Sequence, residues 1–81
     1  MAKESRAVIV GQVIAAAREK AGLTQEKLAE AARMDRSHLA DIERGVSSVS
    51  LDKFLSICAA LRTPAATIVQ EIEKRIGVSA R

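Results

Sequence analysis

Between Asp35 and Gly45 the chain places Arg36, Ser37, His38, Asp41 and Arg44 around two apolar residues, Leu39 and Ile42, at helical spacing. These side chains donate and accept hydrogen bonds and carry both signs of charge, so their chemistry is polar recognition rather than bond-making. His38 is the only histidine, and the residue four places on is Ile42, which supplies no second metal ligand. It is expected to be exposed. The sequence shows no nucleophile–base pairing, no metal-ligand spacing and no glycine-rich phosphate loop, so neither an enzyme nor a cofactor is expected. Cys58 is the single cysteine, which excludes an internal disulfide. It lies on an apolar stripe and is expected to be a small buried hydrophobe, with a redox switch as the weaker alternative.

The chain that must position these groups has 81 residues, which corresponds to one small domain across 1–81 without room for a separate sensor or catalytic unit. Hydrophobic residues make up 48% of it but aromatics only 1%, so the core must be built from Ala, Val, Ile and Leu. That composition, with one proline and no strand-like run between hairpin turns, predicts an all-α fold. A net charge of +3 permits nucleic-acid binding without requiring it. No apolar run approaches the roughly 20 residues of a membrane span. The positive start before Ala7-Val-Ile-Val10 is broken by Gly11, Gln12 and Arg18-Glu-Lys20, unlike a secretion signal, so a cytoplasmic protein is expected.

Capping residues divide the chain into five helices. Residues 1 to 5 are polar and expected to fray, although Ser5 can cap a first helix with apolar positions Val10, Ile14, Ala17 and Ala21. Gly22 is its stop. Thr24 caps a second helix of about two turns through Leu28, Ala29 and Ala32, with Glu26 in the first turn where the helix dipole favours an acid. Asp35 caps the third helix and Gly45 ends it. After the loop Val46-Ser-Ser-Val49, Ser50 caps a fourth helix whose stripe, Leu51, Phe54, Leu55, Cys58 and Leu61, is expected to be core. Thr63-Pro64 begins a fifth helix, with the proline at its first helical position, and Gly77 ends it. The tail from Val78 to Arg81 is expected to be loose.

The second and third helices, joined by a short turn, form a helix-turn-helix pattern. In that geometry the first helix crosses the DNA backbone and the second enters the major groove, where base edges are distinguishable. Gly11-Gln-Val-Ile14, Arg18-Glu-Lys-Ala-Gly-Leu-Thr-Gln-Glu-Lys-Leu-Ala29, Asp35-Arg-Ser-His-Leu-Ala-Asp-Ile-Glu-Arg-Gly45 and Ser50-Leu51 resemble the Xre family, the Cro and lambda-type repressor domain. The resemblance runs from Gly11 to Leu61.

It implies roles residue by residue. Gln25 matches a glutamine that bonds a backbone phosphate, and Arg36, Ser37 and Asp41 match positions facing base edges. His38, beside them, is placed to touch a base or a phosphate, or is a plain surface residue. Arg44 matches a position near the backbone, and Ser47 and Ser48 lie in a loop that contacts phosphates. Arg18 and Glu43 match a partly buried ion pair between the first and third helices, a structural role.

Elementary chemistry supports part of this. An arginine at a helix start can grip guanine O6 and N7, worth roughly 1–3 kcal/mol of discrimination. The free amides of the second helix suit a phosphate. Asp41 either accepts from cytosine N4 or orients Arg44 or Arg36. Arg33 stands where the family has glycine, so a left-handed residue is expected there at a cost of roughly 1 kcal/mol. The segment Arg33–Arg44 has as many acids as bases, so affinity is expected to depend on dimerisation more than on charge.

Ile68, Ile72 and Ile76 recur every four residues, with Val69 beside them. They are either core or, as one small domain cannot easily bury them all, a homodimer interface on the fifth helix. A two-fold dimer sets its recognition helices about 34 Å apart, one DNA turn. The expected function is therefore a homodimeric, sequence-specific transcriptional regulator of double-stranded DNA, with no small-molecule effector evident. The short domain, the added helix and Asp35-Arg-Ser37 resemble restriction-modification controller proteins. A phage-type repressor or an antitoxin that depends on a protein partner is the alternative.

Overall fold

The computed structural model describes residues 5–77. The expected fraying of residues 1–4 and looseness of 78–81 lie outside the described residues. Five helices follow in order, α1 Arg6–Lys20, α2 Gln25–Ala31, α3 Arg36–Arg44, α4 Leu51–Ala60 and α5 Ala65–Ile76. Among the described residues there is no strand, and no helix is long and apolar enough to cross a membrane.

Local sequence sets most boundaries. Ser5, Thr24 and Ser50 each accept a hydrogen bond from the amide three residues on, at 3.1 Å, which satisfies a donor that the helix itself cannot pair. Asp35 occupies the cap position of α3, but its carboxylate makes no capping bond. Pro64 is the cap residue of α5 rather than its first helical residue, and Ala65 opens the helix. Two non-glycine residues adopt positive φ, Arg33 at 57° and Arg62 at 55°. The first is the left-handed residue expected between α2 and α3, and the second closes α4.

The helices enclose one core. α1 lies against α3 and α5, α2 against α3 and α4, and α4 against α5. Ile14, Leu28, Leu39, Ile42 and Ile57 are its most deeply buried large side chains. Cys58 is buried among them, and burial pushes its thiol pKa up, which fits the inert hydrophobe expected.

Three expectations about faces need correction. On α1 the buried residues are Ile9, Gly11, Val13 and Ile14, whereas Val10 and Ala17 are half-buried and Ala21 is exposed. The helix is apolar nearly all round, so periodicity alone does not select its inner face. On α4 the core positions are Phe54, Ile57, Cys58 and Leu61, while Leu51 is 72% and Leu55 48% exposed. At 3.6 residues per turn, Leu55 points roughly a quarter-turn or more away from the line through Phe54 and Leu61. On α5, Ile68 is buried in the protomer's own core, and Ile72 and Ile76 are half-buried against it. Ile68 is therefore not available as interface surface, and Val69 is the exposed member of the group.

Gly11 marks the tightest crossing. A Cβ there would lie 2.2 Å from the Ile42 carbonyl oxygen and 2.6 Å from that of Glu43. The missing side chain lets α1 press onto the backbone of α3, and so fixes how α3 is presented.

Candidate nucleic-acid interface

α3 has two unlike sides. Leu39, Ile42 and Glu43 face inward and are buried, whereas Arg36, Ser37 and Arg44 are exposed. The inward side is held by an ionic seam. Arg18 Nε donates to Glu43 Oε2 at 2.7 Å and its Nη2 donates to Glu43 Oε1 at 3.1 Å, a two-pronged contact. The side chains are only 13% and 4% exposed. Arg18 Nη1 also donates to the Leu23 carbonyl at 2.9 Å, tying α1 to the residue that leads into α2. The hydrogen bond to Glu43 raises the Arg18 pKa, against the opposing effect of burial. No buried side-chain nitrogen or oxygen among the described residues lacks a partner, so the seam is fully satisfied.

Gln25 joins the same seam. Its Nε2 donates to Glu43 Oε1 at 2.9 Å, which fixes the amide at the first residue of α2 and leaves its other donor and its carbonyl for a ligand. One carboxylate therefore orients both the recognition helix and the residue proposed to meet the backbone.

Arg36 and Ser37 occupy the first two positions of α3, open to solvent. Asp41 forms an ion pair with Arg44 one turn on, not with Arg36. His38 is half-buried rather than fully exposed. It turns into a groove towards α4, away from the outermost line of α3. Ser47 is half-buried and Ser48 exposed in the loop after α3, and both line a small groove with Arg6 from the first turn of α1. Arg6 was not singled out by sequence, because the chain separates it from Ser47 by the whole motif. Among the described residues no group of three or more His, Cys, Asp or Glu is arranged to hold a metal ion.

The chain matches the helix-turn-helix family over residues 14–68. It is 45% identical over 62 residues to the immunity repressor protein of Bacillus phage phi105, covering 76% of this chain and 43% of that protein. It is 30% identical over 69 residues to the transcriptional regulator ClgR of Mycobacterium tuberculosis, covering 85% of this chain and 62% of the relative. The chain thus spans about half the length of the curated relatives it matches, and these are a repressor and a regulator rather than enzymes. Among solved structures, the clp gene regulator ClgR from C. glutamicum superposes with a TM-score of 0.84 at 26% identity, covering 98% of this chain and 100% of that one. The restriction-modification controller protein C.AhdI from Aeromonas hydrophila does so with a TM-score of 0.75 at 35% identity, covering 76% and 94%. With the family match covering more than half of its residues and lying on the helices that carry the motif, this chain belongs to the helix-turn-helix family, of the Xre type that its motif resembles.

Proposed function

We propose that the protein is a cytoplasmic, sequence-specific transcriptional regulator that binds double-stranded DNA as a homodimer. The observation that carries this is the asymmetry of α3, locked from behind by Arg18, Glu43 and Gln25 and bare in front at Arg36 and Ser37. A helix so held meets the major groove without losing rotational freedom on binding. Arg36 supplies bidentate donors for a guanine, and Ser37 a hydroxyl for either kind of base edge. Gln25, Ser47, Ser48 and the paired Arg44 meet phosphates, and Asp41 sets the direction of Arg44. His38 contributes from the edge of the same face.

The dimer is proposed to form on the exposed apolar residues of α4 and α5, namely Leu51, Leu55 and Val69, with the half-buried Ile72 and Ile76 behind them. Leu51, Leu55 and Val69 are large hydrophobics exposed on two helices that pack together, and burying them against a second copy would remove that apolar surface from water. A two-fold dimer reads successive major grooves on one face of the duplex when its two α3 helices lie roughly 34 Å apart, one DNA turn. The similarity to C.AhdI supports a controller role in a restriction-modification system. The similarity to the phage immunity repressor supports repression of phage genes as the second reading.

Fluorescence anisotropy against the DNA just upstream of its own gene, with excess competitor, tests the function. Saturable binding that survives competitor is expected. Binding that vanishes with competitor contradicts sequence-specific regulation and favours an antitoxin that needs a partner. Sedimentation over a concentration series checks the dimer.

A further inference from the structure

The two neighbours of α1 grip it differently. Against α3 it has no room to move. Where Gly11 crosses, a Cβ would lie 2.2 Å from the Ile42 carbonyl oxygen, and at Gly45 a Cβ would lie 2.6 Å from Val8 Cα. Backbone meets backbone at both places, and the Arg18–Glu43 contact ties the same two helices. Packing this close leaves no rotamer to relax into, so α1 and α3 act as one body. Against α5 the fit is open. Val13, Ala16 and Ala17 of α1 and Thr67, Glu71 and Arg75 of α5 line a groove of about 500 Å³ between the helices.

The hold on α5 also changes along its length. Ile68, in its first turn, is buried in the core, whereas Ile72 and Ile76 further on are half-buried. Apolar contact is non-directional, so it keeps α5 on the core without fixing its tilt. The contact that bridges from α1 near the far end is directional: Arg75 Nη2 donates to Gln12 Oε1. Glu71, the acid one turn before Arg75, pairs with Lys74 at 3.9 Å. Gln12 directly follows Gly11. Consecutive residues of α1 therefore meet α3 through backbone and α5 through a hydrogen bond.

We propose that the Gln12–Arg75 bond sets the angle between α5 and the α1–α3 body, and so fixes the distance between the two recognition helices of the dimer. Gln12 and Arg75 are positioning residues for half-site spacing, acting through α1 and α3 rather than on the DNA. The assignment rests on the DNA-binding homodimer proposed above, with α5 in its interface. In that dimer a tilt of α5 against α1 becomes a displacement of one α3 relative to the other. About 10° across the 25 Å breadth of the protomer moves α3 by about 4 Å, close to the roughly 3.4 Å rise of one base pair. A dimer that holds the angle passes the strain of a wrong spacing to the DNA as twist, and one that does not hold it absorbs the change itself.

The test is anisotropy with the full chain on the upstream duplex and on the same duplex with one base pair added or removed midway between its half-sites. Wild type is expected to lose roughly tenfold or more in affinity when the spacing changes. Arg75→Met keeps the apolar stem and removes the donors. It is expected to narrow that loss to about threefold or less, with dimerisation by sedimentation, melting temperature and affinity for an isolated half-site unchanged. Arg75→Lys, which still donates to Gln12, and Gln12→Glu, which offers Arg75 a charged acceptor, are expected to keep the wild-type spacing profile. A wild type indifferent to spacing, or an Arg75→Met variant whose spacing profile is unchanged, overturns this role and leaves the dimeric regulator standing. A wild type that is monomeric at these concentrations, or that does not bind the upstream duplex, overturns the proposed function and this role with it.

Discussion

The pair α2–α3 and the pair α4–α5 are built on the same stop. In each, the first helix ends with an arginine at positive φ, 57° at Arg33 and 55° at Arg62. The hydrogen bonds match as well. Arg33 N donates to Glu30 O and Met34 N to Ala29 O, while Arg62 N donates to Ala59 O and Thr63 N to Cys58 O, all between 2.9 and 3.1 Å. The surfaces of the two pairs differ in their exposed apolar residues. α3 turns Arg36, Ser37 and Arg44 outward, whereas α4 and α5 expose Leu51, Leu55 and Val69. The turn geometry alone therefore does not single out a nucleic-acid reader, and the chemistry of the free face does. The first pair is the one proposed to meet base edges and phosphates, and the second the one proposed to meet another copy of the chain.

The largest way to break this contrast is to remove the seam that only the first pair has. Glu43→Ala strands the buried Arg18 and releases Gln25, and is expected to cost about 3–5 kcal/mol by chemical denaturation. Next comes the apolar pair. Leu55→Glu with Val69→Glu is expected to weaken the dimer by about 3 kcal/mol, seen as monomer by sedimentation, with the melting temperature of the protomer nearly unchanged. Arg36→Ala sharpens the contrast from the other side, costing roughly 1–3 kcal/mol of discrimination between operator and scrambled DNA while leaving dimerisation intact. The smallest effect compares the two stops directly. Arg62→Gly and Arg33→Gly are each expected to stabilise the fold by about 1 kcal/mol in thermal melts.

How much of this was legible in the sequence depended on whether a residue acts through its neighbours along the chain or across space. The caps at Ser5, Thr24 and Ser50 and the stop at Gly45 were legible because each works on amides within a few residues. The Arg18–Glu43 pair spans 25 residues and came from the family resemblance, since no spacing rule predicts it. The inner face of α1 was hidden by an apolar surface without contrast. Ile57 was passed over for Leu51 and Leu55 because all three are apolar, and only the packing of α4 against α2 and α5 decides among them. Gly11 read as a break in an apolar run, and its use as a crossing point needs the position of Ile42.

The central claim is that the outer face of α3 reads bases while its inner face only holds the helix in place. The most direct test is an anisotropy titration of wild type and Arg36→Ala on the upstream duplex and on a scrambled duplex of equal length and composition. The account predicts that wild type prefers the upstream duplex, and that the variant loses roughly 1–3 kcal/mol of that preference while its affinity for the scrambled duplex stays nearly unchanged. A variant that keeps the full preference would contradict the assignment of this face to base recognition.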